Sequence, residues 1–384
     1  MKPARLLLSF TGILAASVAG YFLMAEASPQ QLTDLRDDYR FAFARSFDAQ
    51  KVVAIDTHNQ TKVAEIDFPH KVGDILVSKM LDMLFVNDPE NNAVTPVFLK
   101  DLSLAPGFAI GFTPVQSILG PEDQFAAFVG AEGELLVFDL ENIRPIYQNA
   151  GFQPGARIAF SASGHDILVV EGERNQLLAI NLEAGKIVGV ADLTLKAGTR
   201  DISAVTRSLD GHTGFIAVGS EDRVLVIDLD SYRITRSIPV GDAPVRPYAT
   251  NDGAYLLVAN ELSRDFNVID MLTLDVVTKI ETGIAAQAIN TGFFDTRAYV
   301  MPRDGGTMAV VDLMTLKQLD SIELPGPTDD GLVTSDMETL LAAIPSTGQI
   351  AQISVRQNKV QALINTGLED VRGTKMGVVN AICH

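Results

Sequence analysis

An all-β ring built from one repeated four-stranded module is the fold class that this 384-residue sequence predicts. Three observations carry it. A strand ending in Asp or a close polar substitute recurs: VVAID at Asp56, LLVFD at Asp139, LLAIN at Asn181, VLVID at Asp228, FNVID at Asp270 and MAVVD at Asp312. The intervals are 83, 42, 47, 42 and 42 residues, the first being close to twice the period. VTPVFL, ending at Leu99, fills that gap, and QIAQIS, ending at Ser354, lies one period beyond Asp312, which makes eight copies. Within each copy, short runs rich in Val, Ile, Leu and Phe alternate with Asp, Gly, Pro and Asn turns. Helical spacing of apolar residues is sustained over about 11 positions nowhere after Met24.

Each copy orders its signals alike. VLVID is followed by a polar tip, LDSYR, the strand ITRSIPV, Gly241 and Pro244, the run VRPYAT, a turn at Asn251-Asp252-Gly253 and the strand YLLVAN. Four antiparallel strands every ~40 to 50 residues make a propeller blade. A lone blade cannot bury both faces, so blades stack face to face and the ring closes. Many strands are apolar at consecutive positions, as expected when both faces are covered. The sequence has no Trp, unlike propellers that place one in each blade.

Closure is also legible. RFAFARSFDAQKVVAIDTHNQTKVAEI supplies three strands of a blade, and VRGTKMGVVNAIC, residues 371–383, is one strand with nothing to follow it. The C-terminal strand is therefore expected to complete the N-terminal blade. The prediction is a single propeller over residues 38–384, with eight blades of about 45 residues. Seven blades is the alternative, because the second copy, residues 94–129, is degenerate and reads also as an elaborated loop.

Residues 1–27 carry the parts of a secretory signal: Lys2 and Arg5, an apolar run from Leu6 to Met24, and Ala25-Glu26-Ala27 before Ser28. Residues 28–37 then form an N-terminal extension. The same run, residues 6–24, has the length of an uncleaved anchor. Either way the remainder is expected outside the cytoplasm, periplasmic or secreted, without stable membrane insertion after cleavage.

Lys and Arg number 30 against 48 Asp and Glu, for a net charge of −18. That balance argues against a nucleic-acid surface, which needs Lys and Arg to neutralise phosphates. Cys383 is the sole cysteine, so an internal disulfide framework, a Cys-based zinc site and C-x-x-C-H haem attachment are excluded. No G-x-S-x-G, no Gly-rich phosphate loop and no closely spaced histidine pair occurs. No catalytic residue and no cofactor is predicted on these grounds. Cys383 and His384 are weak metal candidates, since a thiol beside an imidazole suits copper; a Cys packed as a small hydrophobe is the alternative.

Ligands of propellers usually sit where the loops before the innermost strands converge. These loops are residues 69–74, 152–157, 197–201, 241–246, 283–287, 326–330 and 368–372. They carry Arg157, Arg200, Arg246 and Arg372 together with Asp201, Asp329, Asp330 and Asp370. One reading is a mixed-charge mouth that takes an anionic or zwitterionic ligand, or a partner's carboxylates, through arginine forks. The other is that these residues pair with one another and with loop backbone.

Residues 226–260 and 268–283 resemble the YVTN-type β-propeller repeat, in which a V-x-D strand, a T-x-K-V strand, a V-G-x-x-P corner and a Y-V-A-N strand follow in order. Val240-Gly241-Asp242-Ala243-Pro244 and Tyr255 to Asn260 carry the match. The wider superfamily includes the large, non-catalytic subunits of quinoprotein amine dehydrogenases, which dock a small cofactor-bearing chain. The resemblance implies an exported binding or scaffold module in a periplasmic complex, with a protein partner such as a small redox subunit. It transfers no site residue. A hydrolase or lactonase with its active site at the channel mouth is the alternative.

Overall fold

The structure, a computed structural model, describes residues 34–46 and 49–377. The expected signal, Cys383, His384 and the end of the closing strand lie outside the described residues. The described residues are all-β and form eight antiparallel blades in a ring. The innermost strands of blades 1 to 8 are Val371–Lys375, Ile75–Ser78, Pro114–Leu119, Arg157–Phe160, Thr206–Arg207, Tyr248–Ala249, Ala286–Gly292 and Leu332–Val333. Residues 94–129 are thus no loop. Ala93–Phe98 and Phe108–Ala109 are the outer strands of blade 2, and Pro114–Leu119 and Phe125–Gly130 open blade 3.

Blade 1 joins the two ends of the chain. Val371–Lys375 pairs antiparallel with Phe41–Ser46, which continues to Lys51–Asp56 and Thr61–Asp67. In blade 7 the outer strand is broken into Lys317–Gln318 and Ile322–Glu323, both on Thr307–Asp312.

The recurrent Asp has a local cause. It ends the third strand of a blade, and its carboxylate accepts backbone N–H groups of the turn into the fourth. Asp228 accepts from Asp230 and Ser231, Asp270 from Leu272 and Thr273, and Asp312 from Met314 and Thr315. Asn181 and Ser354 do the same through a neutral oxygen. Asp56 combines this role with an ion pair to Arg40 at 2.6 Å. Burial opposes its ionisation, but the hydrogen bonds from Arg40 and Asn59 prevail and hold its carboxyl down to about 2. A depressed value means that this stability is present above the ordinary Asp pKa and lost as pH falls toward the folded one. Asp56→Ala should therefore cost about 1–2 kcal/mol at neutral pH in chemical denaturation. The difference should shrink as pH drops from about 4 to 2.

Side chains of the second and third strands are buried almost throughout, which explains the consecutive apolar positions. They form eight clusters, each drawn chiefly from two adjacent blades. Phe43 and Val52 of blade 1 meet Ile75 and Val86 of blade 2, while Ala44 and Val371 meet Leu332 and Leu341 of blade 8. Each cluster hides surface that a single sheet would leave wet, at ~25 cal/mol per Å² of apolar area.

Strand alternation puts the turns between first and second, and between third and fourth, strands on one face of the ring, called lower. The upper face holds the other turns and the links between blades. First turns touch around the lower face: Asp123 accepts from Lys79 N–H, Gly253 lies against Leu209, Asp295 accepts from Asn251 N–H, and Phe293 donates to the Met337 carbonyl. Glycine is required at Gly348, where φ is +64° and an added Cβ would lie 2.1 Å from the Leu368 carbonyl oxygen. That turn of blade 8 thereby seats the link leading to the closing strand.

Candidate functional site at the channel mouth

The upper end of the channel is built from equivalent positions. Each lies at the start of an innermost strand, opposite the penultimate residue of the second strand. Asp74 stands opposite Asn87, Gln116 opposite Val129, Arg157 opposite Val170 and Arg372 opposite Arg45. Val245 donates to Ala259 and Asp329 to Ala343, which brings Arg246 and Asp330 to the same level. Arg246, Ala288, Asp330 and Arg372 are each 42 residues apart, one per blade. The repeat that folds the ring also aims these side chains at one place.

Arg246 and Asp330 are exposed by area, yet protein surrounds both. Burial pulls the Arg246 guanidinium down to about 10, with Asp330 opposing and Arg207 adding to the fall. Its guanidinium donates a long hydrogen bond, 3.4 Å, to the Val205 carbonyl. Burial likewise raises Asp330, with Asp329 reinforcing it and Lys375, Gln287 and Arg246 working against it.

Beside this pair lies a second, more tightly bonded group. Arg45, with its side chain 8% exposed, faces Asp74 at 3.6 Å, and Asp74 also accepts from Ser117. Asp329 accepts the Gly373 N–H at 2.5 Å, and Arg372 pairs with Asp370 at 2.9 Å. Burial lowers Arg45, against the pull of Asp74 and Asp329.

Of the residues expected from sequence, Arg246, Asp329, Asp330 and Arg372 are brought together, with Asp370 bound to Arg372. Arg157 occupies the equivalent position in blade 4, and its guanidinium makes no ion pair among the described residues. Arg200 and Asp201 stand apart from the group. The Arg200 side chain is 81% exposed and pairs with Glu173 of the blade 4 turn, and the Asp201 carboxylate lies against Gly219. Asp201 corresponds to Ala243 of blade 6, each carbonyl accepting from the residue after the second strand, so Arg200 and Asp201 lie short of the channel level, which Ala204 occupies in blade 5.

Sequence reading missed Arg45, Asp74, Arg207, Gln287 and Lys375. A signal was present for Arg45, a charge inside the otherwise apolar strand FAFARS. Asp74 closes a loop already recognised, and only the register of the first strand singles it out.

The mouth therefore gathers Arg45, Arg207, Arg246, Arg372 and Lys375 against Asp74, Asp329, Asp330 and Asp370 on a protein of net charge −18. A locally cationic concavity within an acidic molecule concentrates anions there. Among the described residues no group of three or more His, Cys, Asp or Glu side chains is placed to hold a metal ion. The raised Asp330 has a testable consequence. Its protonated form is favoured in the fold, so its contribution is full at low pH and falls as pH rises through the raised value. Asp330→Asn should raise the melting temperature at neutral pH and leave it unchanged near pH ~3.

No protein-family description matches the chain, and no curated protein sequence does. Solved structures match in fold. Dihydro-heme d1 dehydrogenase NirN, in complex with DHE, aligns with TM-score 0.70 at 15% identity over 89% of this chain and 76% of that one. Hydrazine synthase of Kuenenia stuttgartiensis gives TM-score 0.55 at 17% identity over 74% of this chain and 95% of that one. A functionally unknown protein from Desulfotomaculum acetoxidans gives 0.55 at 14% identity over 73% and 95%. At these identities the likeness is one of fold.

Proposed function

We propose that this propeller is an exported binding or scaffold module, periplasmic or secreted, whose channel mouth recognises an anionic ligand or the carboxylates of a protein partner. The observation that supports it best is Arg246, a guanidinium enclosed by protein, open to the channel and without an ion pair among the described residues. An enclosed cation with spare donors suits a bidentate carboxylate or phosphate. Arg157 offers a second such fork. NirN, whose structure matches in fold, is solved in complex with DHE, which is consistent with a ligand-binding reading. The finer version, docking of a small cofactor-bearing redox chain, rests on the resemblance of residues 226–283 to YVTN-type repeats.

The test is recovery from native extract. Tagged wild type should retain a discrete small chain or an anionic small molecule, identified by mass spectrometry. Arg157→Ala with Arg246→Ala should lose it while melting like wild type. Equal retention by both proteins would refute the mouth as the site, and recovery of neither ligand nor partner would count against a binding module.

A further inference from the structure

Charge around the channel mouth is sorted by blade. At the level of Arg246, blade 4 presents Arg157 and blade 5 presents Ala204, so blades 4 to 6 offer no acid there. Arg207, three residues further along the innermost strand of blade 5, adds another cation to that arc. The acids of the mouth all come from the other side of the ring. Asp74 opens blade 2, Asp329 and Asp330 lead into blade 8, and Asp370 leads into blade 1. The acid whose charge reaches Arg246 is Asp330, two blades away.

Most of the acidic side is already satisfied from within. Asp74 faces Arg45 and accepts from Ser117, Asp370 holds Arg372, and Asp329 accepts the Gly373 N–H. Asp330 is different. Gln287 donates to its carboxylate and Asn290 to its backbone carbonyl, the latter at 2.8 Å. The carboxylate makes no ion pair among the described residues, although the charge of Lys375 acts on it from further along the closing strand. Arg157 and Arg246 make none either. The mouth therefore keeps unpaired cations on one arc and an unpaired acid on the other.

Arg246 and Asp330 are also held apart. Each feels the other's charge, yet the two do not close into an ion pair. Blade 7 lies between them in the ring and presents the small Ala288 at their level, so it puts no long side chain into the gap there. Its neighbour Gln287 is taken up by Asp330. Opposite charges that protein encloses without joining cost desolvation free energy and gain little Coulombic return. A simple anion would answer Arg246 but meet Asp330, and a simple cation would answer Asp330 but meet Arg246. A molecule that carries both groups answers both, each through charge-assisted hydrogen bonds. Its two charges must stand apart along the molecule, because a whole blade separates their partners.

We propose that the ligand of the mouth is a small linear zwitterion, with its carboxylate on Arg246 and its ammonium on Asp330. This ligand class rests on the reading of the mouth as a binding site and narrows it from anions to amino-carboxylates. An ammonium beside Asp330 also offsets the burial and the Asp329 charge that raise its carboxyl.

The experiment is calorimetric titration of the full chain with ω-amino acids from aminobutyrate to aminooctanoate. Each is compared with the carboxylate and the alkylammonium of the same length. At least one ω-amino acid should bind about tenfold or more tightly than both of its singly charged counterparts. Asp330→Asn should lower that zwitterion to the affinity of the plain carboxylate, and Arg246→Gln should remove binding of both. Ala288→Leu, which fills the gap between the charges, should weaken the zwitterion more than the carboxylate. Melting followed by circular dichroism confirms that each variant is folded. If carboxylates bind as well as zwitterions, or Asp330→Asn binds the zwitterion as wild type does, the zwitterion is wrong and the anionic mouth stands. If neither class of probe binds, the proposal falls, and retention of a ligand from extract still decides the mouth. Zwitterion binding that survives Arg246→Gln unchanged would overturn the proposal and the mouth together.

Discussion

Val371→Asp should leave the chain without a stable native state at room temperature, the largest stability effect expected of any single substitution considered. Val371 is fully buried in the closing strand, among Ala42, Ala44, Leu332 and Leu341. Substitution removes apolar contacts and puts a carboxylate into an apolar cluster, which costs more than about 4 kcal/mol. A domain has only about 5–15 kcal/mol to lose. The position also multiplies the effect. In an open stack a damaged end frays alone, because stability is a sum over neighbours. Here the same strand serves blade 1 internally and covers blade 8 externally, so its loss exposes two sheet faces together. Val371→Ala, which only trims the contact, should remain folded with a loss of about 1–3 kcal/mol. Urea titration followed by tryptophan-free probes such as far-ultraviolet circular dichroism separates the two outcomes.

Reversal of charge at the mouth should have the largest functional effect. Arg246→Glu places a carboxylate beside Asp330, already disfavoured as an anion by burial and by Asp329. An anionic ligand would then lose its fork and meet repulsion, and breaking a hydrogen-bonded charge pair that the bound ligand covers costs ~2–5 kcal/mol in binding. Affinity should fall by two orders of magnitude or more, since ~1.4 kcal/mol is tenfold. Arg200→Glu, at the exposed pair with Glu173, should change little, and so serves as the control. Binding measured by titration against the ligand recovered from wild type reads both.

The sequence revealed the ring because its cause is local. The Asp at the end of each third strand caps its own turn, and that hydrogen-bonding need recurs with the module whatever the ring does. Seven copies followed from these polar strand ends, and the degenerate eighth, VTPVFL ending at Leu99, followed from the doubled interval between Asp56 and Asp139. The closing strand was legible for the complementary reason: three strands at one end and one at the other leave a single way to complete a blade.

The mouth was legible in part. Arg246, Asp330 and Arg372 were found because glycine and proline corners mark the links that precede them. Arg200 and Asp201 were misplaced because they lie two and three residues after the Gly198 corner, whereas Arg246 lies five after Gly241; membership of the same link is not equal height in the channel. Arg45 and Lys375 were missed because neither lies in a link. Arg45 comes from a second strand, and its inclusion depends on the closing strand lying beside it.

Ring closure decides the mouth as well as the core, because the closing strand brings Arg372 and Lys375 to Asp329 and Asp330. The direct measurement is oxidative crosslinking of Ser46→Cys with Val371→Cys in a Cys383→Ser background. These residues are directly paired across Phe41–Ser46 and Val371–Lys375, a spacing compatible with a disulfide. Closure predicts near-complete crosslinking in the folded protein, seen as a loop-tightened band of faster mobility, and none in urea. Free thiols at both positions in the folded protein, with no such band, would contradict the closed ring and the mouth that depends on it.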